Sequence, residues 1–248
     1  MKKIFYLFFC LLFIDIQAQN SDYVALYDLK FVRNNSTSDK EQFILLINSK
    51  KKESVFLSST EYSEIVTPSS AMSLISSEFK EIVYFDTKKF NIYEDVINGY
   101  LSYIDTDVLK WELMNKNKRI GNYNCKLASV NAYGRIWYAW YSIDIPLNYG
   151  PYKFNGLPGL IVELYDSENK AYFSLVQFKK KSMDMNFFSV KKYKLVAREK
   201  YYKARFKILT SDSGAVVFKS AQERKEWLDG LLRLYRSQLI FDIKYPQE

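Results

Sequence analysis

The chain has 248 residues, with 36 Lys and Arg against 28 Asp and Glu, no His, two Cys and 17% aromatic residues. A chain of this length can bury a core without disulfide bonds. The absence of His removes the usual general base and every Ser–His or Cys–His nucleophile pair, so we expect no catalytic residue, no metal site and no cofactor.

The N-terminus has the pattern of a secretory signal peptide: two lysines after Met1, an apolar run at residues 4–14 and a small residue, Ala18. The run is too short to cross a bilayer, which takes about 20 apolar residues. We therefore predict that residues 1–18 are removed on export. We expect residues 19–248 to form one β-rich domain in the periplasm or at the outer membrane, without a transmembrane segment.

The first half of the chain is typical of β-strands, because Tyr27, Leu29 and Phe31 alternate with polar residues and aromatic residues favour sheets. Residues 58–77 are rich in Ser, Thr and Glu, which predicts a loop with a short helix at 69–79. The strands that we predict in this half cover residues 27–31, 43–47, 54–57, 82–85, 99–105 and 108–113.

Residues 123–143 predict a β-hairpin with its turn near residues 131–134. Trp137 and Tyr141 point to one face of its second strand, and Trp140 points to the other. Both faces carry large side chains, so we expect this strand to be covered on both sides. Pro146 ends it, because proline cannot donate to a sheet ladder.

The next segment is unusually rich in glycine for a chain that has only eight. Leu157-Pro158-Gly159-Leu160 fits a type II turn, in which the third residue has a positive φ. A strand at 160–164 follows and is predicted to pair with residues 171–178. We assign a structural role in these turns to Gly150, Pro151, Gly156, Pro158 and Gly159.

Two late segments have helical patterns. Residues 196–207 predict a basic amphipathic helix, and residues 221–235 carry apolar residues at spacings of three and four. Ser220 and Glu223 form a capping-box pattern before the second helix. Packing against a sheet and binding at a membrane surface both fit that helix.

Six short motifs follow one another between residues 121 and 166: Cys125-Lys126, Gly134-Arg135, Trp140-Tyr141, Ile145-Pro146, Gly150-Pro151 and Gly156–Ile161. With these motifs the segment resembles the GLPGLI family, exported proteins of Gram-negative bacteria with no established activity. It also resembles the periplasmic lipoprotein-carrier group. The resemblance implies a mostly β (β-rich α+β) fold: an open antiparallel sheet or half-barrel with two or three helices, one of them C-terminal.

An open sheet lined with aromatic side chains would hold an acyl chain or an apolar peptide. The alternative for the aromatic residues is a solid core, and for the charged residues an ion-pair network of Arg135, Asp144, Glu163 and Asp166. Cys125 is expected to be buried, with a redox role or an intermolecular disulfide as the alternative. The predicted ligand or partner contacts are Arg135, Trp137, Trp140, Asp144, Tyr149, Tyr152 and Lys153.

Our leading hypothesis is an exported binding module for an apolar or amphipathic ligand, a lipid or a peptide, without chemistry. The alternative is an accessory protein that docks on an outer-membrane transporter or other envelope machinery. A hydrolase that uses carboxylates or Lys ranks third. The basic residues are spread along the chain, so we expect no nucleic-acid partner.

Overall fold

The computed structural model describes residues 20–33, 37–67, 77, 79–96, 99–187, 192–210 and 219–226. The predicted signal peptide lies outside the described residues, so export stays a prediction. Most of the predicted helix at 69–79 also lies outside them, and the two residues of it that are described, Ser77 and Phe79, are not helical. Among the described residues, no helix has the length and apolar character needed to span a membrane.

Twelve strands form one sheet, in the order β12-β6-β5-β4-β3-β2-β1-β11-β10-β9-β8-β7. Neighbouring strands are antiparallel except β12, which is parallel to β6. The predicted mostly β fold with an open sheet is confirmed. The strands are β1 (Tyr23–Arg33), β2 (Thr37–Asn48), β3 (Glu53–Ser58), β4 (Glu81–Asp86), β5 (Lys89–Val96), β6 (Gly99–Asp105), β7 (Glu112–Ile120), β8 (Tyr123–Ala132), β9 (Arg135–Ser142), β10 (Ile161–Asp166), β11 (Ala171–Lys180) and β12 (Lys194–Leu195).

Helices accompany the sheet at three places. Helix α1 (Ser59–Val66) lies where we predicted a loop. Its start is stabilised by the Ser58 hydroxyl, which accepts hydrogen bonds from the first backbone N–H groups of the helix. Helix α2 (Arg198–Thr210) confirms the predicted basic helix, two residues later than expected. Residues 221–226 are helical, and Ser220 accepts a hydrogen bond from the Glu223 N–H as predicted. The remainder of the predicted helix, residues 227–235, lies outside the described part.

The chain passes directly from β6 to β7, which lie near opposite ends of the sheet order. In a flat sheet these strands would be about 48 Å apart, at roughly 4.8 Å per strand. Residues 106–111 join them and can reach only about 24 Å. The sheet must therefore curl strongly. The prediction of a strand at 108–113 is wrong for its first four residues, which belong to this connection.

The curl gives the sheet a concave and a convex face. Tyr27, Leu29 and Phe31 are buried on the concave face, in one large core with residues from most other strands. The convex face of β1 to β5 packs against α1 and residues 183–187. Cys125 and Trp140 lie on the convex face of β8 to β10, in a smaller cluster.

Candidate functional site

The concave face is covered by the connection between β9 and β10. Tyr149, Phe154, Leu157 and Leu160 of this connection are all buried in the main core. The Leu160 N–H donates to the Ile145 carbonyl at 3.0 Å, so the two ends of the connection lie side by side. We expected an open concave face lined with aromatic side chains, but side chains of the protein itself fill this face.

Close packing explains two of the glycines, and a Cβ on Gly150 would lie 2.7 Å from the Phe154 carbonyl oxygen. A Cβ on Gly159 would lie 1.9 Å from the Ser142 carbonyl oxygen, a distance that no side chain can adopt. The φ of Gly159 is not positive, so the predicted type II turn is wrong. Gly156, with φ +92°, is the residue of this segment that needs the left-handed conformation, and the space beside it is open.

Lys153 is fully buried at the centre of the cover, where its Nζ donates to the Asp105 carboxylate at 2.7 Å. The ammonium lies 4.3 Å from the centre of the Tyr133 ring and 5.1 Å from that of Tyr152. A buried cation between a carboxylate and aromatic faces is well compensated. Asp105 belongs to β6, whereas Phe154, the residue after Lys153, packs on Trp137 of β9. The Lys153–Asp105 pair therefore connects two distant parts of the curled sheet.

Two of the tyrosines around Lys153 have a strained backbone. Tyr133 has φ 53° and Tyr152 has φ 54°, in the left-handed region that bulky residues rarely adopt. Tyr133 precedes Gly134 in the two-residue turn of the β8–β9 hairpin, which confirms the predicted turn. Strain of this kind persists only where surrounding contacts hold it, and it is frequent at functional sites.

Helix α2 lies on the concave side of β4 to β6, where strand alternation places Glu81 and Glu94 among apolar residues. The Tyr201 hydroxyl lies within hydrogen-bond distance of both carboxylates and can donate its one proton to either, and Arg205 lies within 3.5 Å of both. Tyr152 also donates to Glu81, at 3.0 Å, so the cover and α2 share one carboxylate. Helix α2 thus contacts the sheet mainly through charged and tyrosine side chains.

The pKa values of the two buried carboxylates that face α2 and the cover shift in opposite directions. Burial raises the pKa of Glu94, Arg205 opposes that shift without cancelling it, and the charge of Glu81 adds to it. Burial also acts on Asp105, but the cations of Lys153 and Arg198 outweigh it and hold the pKa below 3.8. The two pKa shifts therefore follow from the balance of neighbouring charges.

A groove of about 560 Å³ opens where the β6–β7 connection meets the β8–β9 turn, and we call it the strand-end groove (residues 107–110 and 131–134). It carries Asp107 and Lys110 beside the exposed side chain of Val108. Asp107 pairs with Arg198 of α2 at 2.9 Å. The groove therefore borders both the ring of Tyr133 and the N-terminal end of α2.

The predicted site residues do not form one cluster. Tyr149, Tyr152, Lys153 and Trp137 are buried on the concave side, so they belong to the core alternative rather than to an exposed lining. Trp140 lies on the other face, under Lys118 at 4.5 Å.

The predicted ion-pair network also divides. Arg135 pairs with Asp166 at 2.5 Å, whereas Glu163 pairs with Lys118 at 2.6 Å. Asp144 is exposed and accepts a hydrogen bond from the Asn124 N–H at 2.6 Å. Cys125 is buried as expected, and burial raises the pKa of its thiol to about 11.

Sequence reasoning missed the residues that α2 contacts. One available signal is strand alternation, because Glu94 follows Phe90 and Ile92 on the inward face of β5 and Asp105 follows Tyr103 on that of β6. A carboxylate at an inward position must find a cation. The cations are Lys153, Arg198 and Arg205, which sequence alone does not connect to these strands.

Residues 132–163 match the model of a family described as "Protein of unknown function (Porph_ging)". The matched range contains Lys153 and all of Gly156–Ile161, so the GLPGLI resemblance is confirmed for this part of the chain. No curated protein sequence matches the chain.

The crystal structures of PNGF-II share the fold with this chain at low sequence identity. PNGF-II, in crystals of space groups C2 and P21, matches with a TM-score of 0.55, 16% identity and 75% of this chain covered. The match covers 32% and 33% of the two PNGF-II chains, so the chain spans about a third of their length. The LolA superfamily protein NE2245 from Nitrosomonas europaea matches with a TM-score of 0.33 and 7% identity, over 68% of this chain and 90% of that one.

Proposed function

We propose that the protein is a binding module of the bacterial envelope that takes an amphipathic lipid or peptide at the strand-end groove and performs no chemistry. The volume of this groove lies within the range of small-molecule sites. Val108 and the Tyr133 ring offer apolar contacts, and Asp107 and Lys110 offer charges of both signs. This combination fits a ligand with an apolar part and a charged part.

The observation that carries the proposal is the way in which helix α2 contacts the sheet beside the groove. A helix that belongs permanently to a core usually presents an apolar stripe. Helix α2 instead reaches the sheet through Tyr201, Tyr202 and Arg205, and it pairs with the groove residue Asp107 through Arg198. Water can hydrate these charged and phenolic groups when α2 moves away, so α2 is the part of the structure that can open beside the groove.

The test is to purify residues 19–248 and to measure binding of a fluorescent fatty acid, together with native mass spectrometry for molecules that co-purify. We expect an added mass that extracts as lipid or peptide. Val108 is 81% exposed, so Val108→Asp should leave the fold intact. This variant should weaken fatty-acid binding at least tenfold, because it places a charge in the apolar part of the groove.

Val176→Asp is the matched control, since Val176 is 53% exposed on β11 and does not line the groove. It should bind the fatty acid like the unmodified protein. A bare polypeptide mass together with no fatty-acid binding at millimolar concentration would overturn the proposal. Equal losses in the two variants would remove the groove as the site.

The solid interior favours a second function, an accessory protein that docks on envelope machinery. Tyr149 and Tyr152 cannot form its contact surface as we predicted, because both are buried in the main core. Ile143, Asp144, Pro146 and Asn148 are the exposed residues at the start of the same connection. Capture of one membrane protein by the unmodified chain, lost on Asn148→Arg and kept in Val108→Asp, would favour this function.

A further inference from the structure

Strand β7 leaves an open edge on the sheet. It is the last strand in the sheet order, and within the described part of the chain it pairs only with β8. Seven of its nine residues are exposed. The other end of the sheet is closed differently, because β12 has only two residues there. Short edge strands protect a sheet from further pairing, whereas a long open edge can accept another strand.

The open edge is basic. Lys116, Arg119 and the neighbouring β8 residue Lys126 are exposed and form no ion pair within the described residues. Lys118 is the exception, since it pairs with Glu163. A second copy of the chain would bring the same cations against this edge, and like charges placed opposite each other in a sheet are destabilising. The charge therefore favours an acidic partner.

A groove of about 460 Å³ lies beside this edge, and we call it the edge groove (residues 117–119, 124–126 and 143). Cys125 is buried in it and Ile143, half exposed, adds apolar surface. Lys118, Arg119 and Lys126 surround these apolar groups. In strand addition the backbone supplies affinity, and pockets for alternate side chains supply specificity.

We propose that β7 is a docking strand, which pairs with an extended segment of a partner protein that alternates acidic and apolar residues. The apolar side chains of that segment enter the edge groove beside Cys125 on one face of the sheet, and its carboxylates meet Arg119 and Lys126 on the other face. This interaction depends neither on the strand-end groove nor on movement of α2, so it can fail or hold independently of the ligand-binding function.

The probe is a labelled nine-residue peptide of alternating Glu and Val, with a peptide of alternating Lys and Val as its comparison. Fluorescence anisotropy with the full chain should show binding of the Glu peptide and at least tenfold weaker binding of the Lys peptide. Hydrogen–deuterium exchange should show slower exchange of β7 amides when the Glu peptide is bound, because strand addition occupies the free N–H groups of the edge.

The variant Arg119→Glu with Lys126→Glu should weaken binding of the Glu peptide at least tenfold. Its matched control is Lys50→Glu with Lys51→Glu, which reverses two exposed charges in the β2–β3 turn. The control should leave the affinity unchanged, since that turn is not part of β7 or of the edge groove.

Three results would overturn the proposal. The first is no binding of the Glu peptide at millimolar concentration. The second is equal loss of binding in the two charge-reversal variants, or binding without protection of β7 amides, because either would mean general attraction of charge. The third is protection of β7 that grows with protein concentration alone, since the occupant of the edge would then be a second copy of the chain.

Discussion

Lys153 and Asp105 form an ion pair in which neither side chain reaches solvent. Burial removes hydration from both charges, and only close contacts compensate for that loss. Asp105 has a second cation, Arg198, at 3.5 Å, and Lys153 has the faces of Tyr133 and Tyr152. The pair thus joins the cover, β6 and α2 at a single point.

Removing the buried cation should destabilise the protein strongly. Lys153→Met leaves the Asp105 carboxylate buried with Arg198 alone, and we expect the free energy of unfolding to fall by about 3 kcal/mol. Urea denaturation measures it. Lys170→Met, which breaks an exposed pair with Glu168, should change the urea midpoint little. Similar small effects in both variants would contradict a structural role for the buried pair.

Asp105 should also determine part of the pH dependence of stability. Because its pKa in the folded protein lies below 3.8, the folded state releases its proton more readily than the unfolded state. The resulting stabilisation is complete above the unfolded-state pKa and is lost as the pH falls through the folded-state pKa. Asp105→Asn should therefore lack this acid-side loss, which urea midpoints between pH 7 and 3 would reveal. Parallel curves for both proteins would be inconsistent with this assignment.

Among the elements, the connection between β9 and β10 shows two separate uses of glycine. Gly159 allows the backbone to approach the end of β9, whereas Gly156 provides a left-handed residue in open space. Any Cβ at Gly159 meets backbone atoms, which cannot move aside without displacing β9. At Gly156 only the local conformation opposes a side chain.

Alanine at three glycines should separate these effects. Gly159→Ala should prevent folding or lower the free energy of unfolding by more than about 3 kcal/mol. Gly156→Ala should cost about 1 kcal/mol, because an L-residue is strained at that φ. Gly99→Ala, where nothing lies within 4 Å and φ is ordinary, is the control and should be close to neutral. Thermal unfolding of the three variants provides the ranking, and a stable Gly159→Ala protein would contradict the close approach.

On the scale of the whole molecule, the curl of the sheet decides which residues meet. The short β6–β7 connection draws the two ends of the sheet together, and the cover with Lys153 spans the space between them. Helix α2 then closes the concave side over β4 to β6. Arg205 of α2 contacts the carboxylates of Glu81 and Glu94 on the sheet. A change at Arg205 should therefore loosen α2 selectively.

Arg205→Met should loosen α2 without unfolding the sheet. The variant leaves Glu81 and Glu94 facing each other without their shared cation, so α2 should undock more often. We expect hydrogen exchange in residues 198–210 to accelerate at least tenfold, with β1 and β2 unchanged. Lys203→Met is the control on the same helix, since Lys203 is exposed and, among the described residues, forms its ion pair with Glu199. Faster exchange across all strands would instead show that α2 is part of the global core.

The sequence by itself determined the local structure of this protein. Strand alternation at Tyr27, Leu29 and Phe31, the β8–β9 hairpin and the basic pattern of α2 depend on residues close in the chain, so their periodicity is readable. The segment around Gly156–Ile161 also identified the part of the chain that matches a known family. The sequence did not predict β7 at its observed position. Most residues of this edge strand are exposed, so it lacks the alternation of apolar and polar residues that identifies a strand with one buried face.

Only the tertiary structure decided how those elements meet. It placed Lys153 against Asp105 and Arg205 against Glu94, and it filled the concave face with the chain's own aromatic side chains. It also left the β7 edge open. These outcomes depend on the curl of the sheet, because pairing of residues far apart in the chain is set by the register and curvature of many strands together and not by any short pattern.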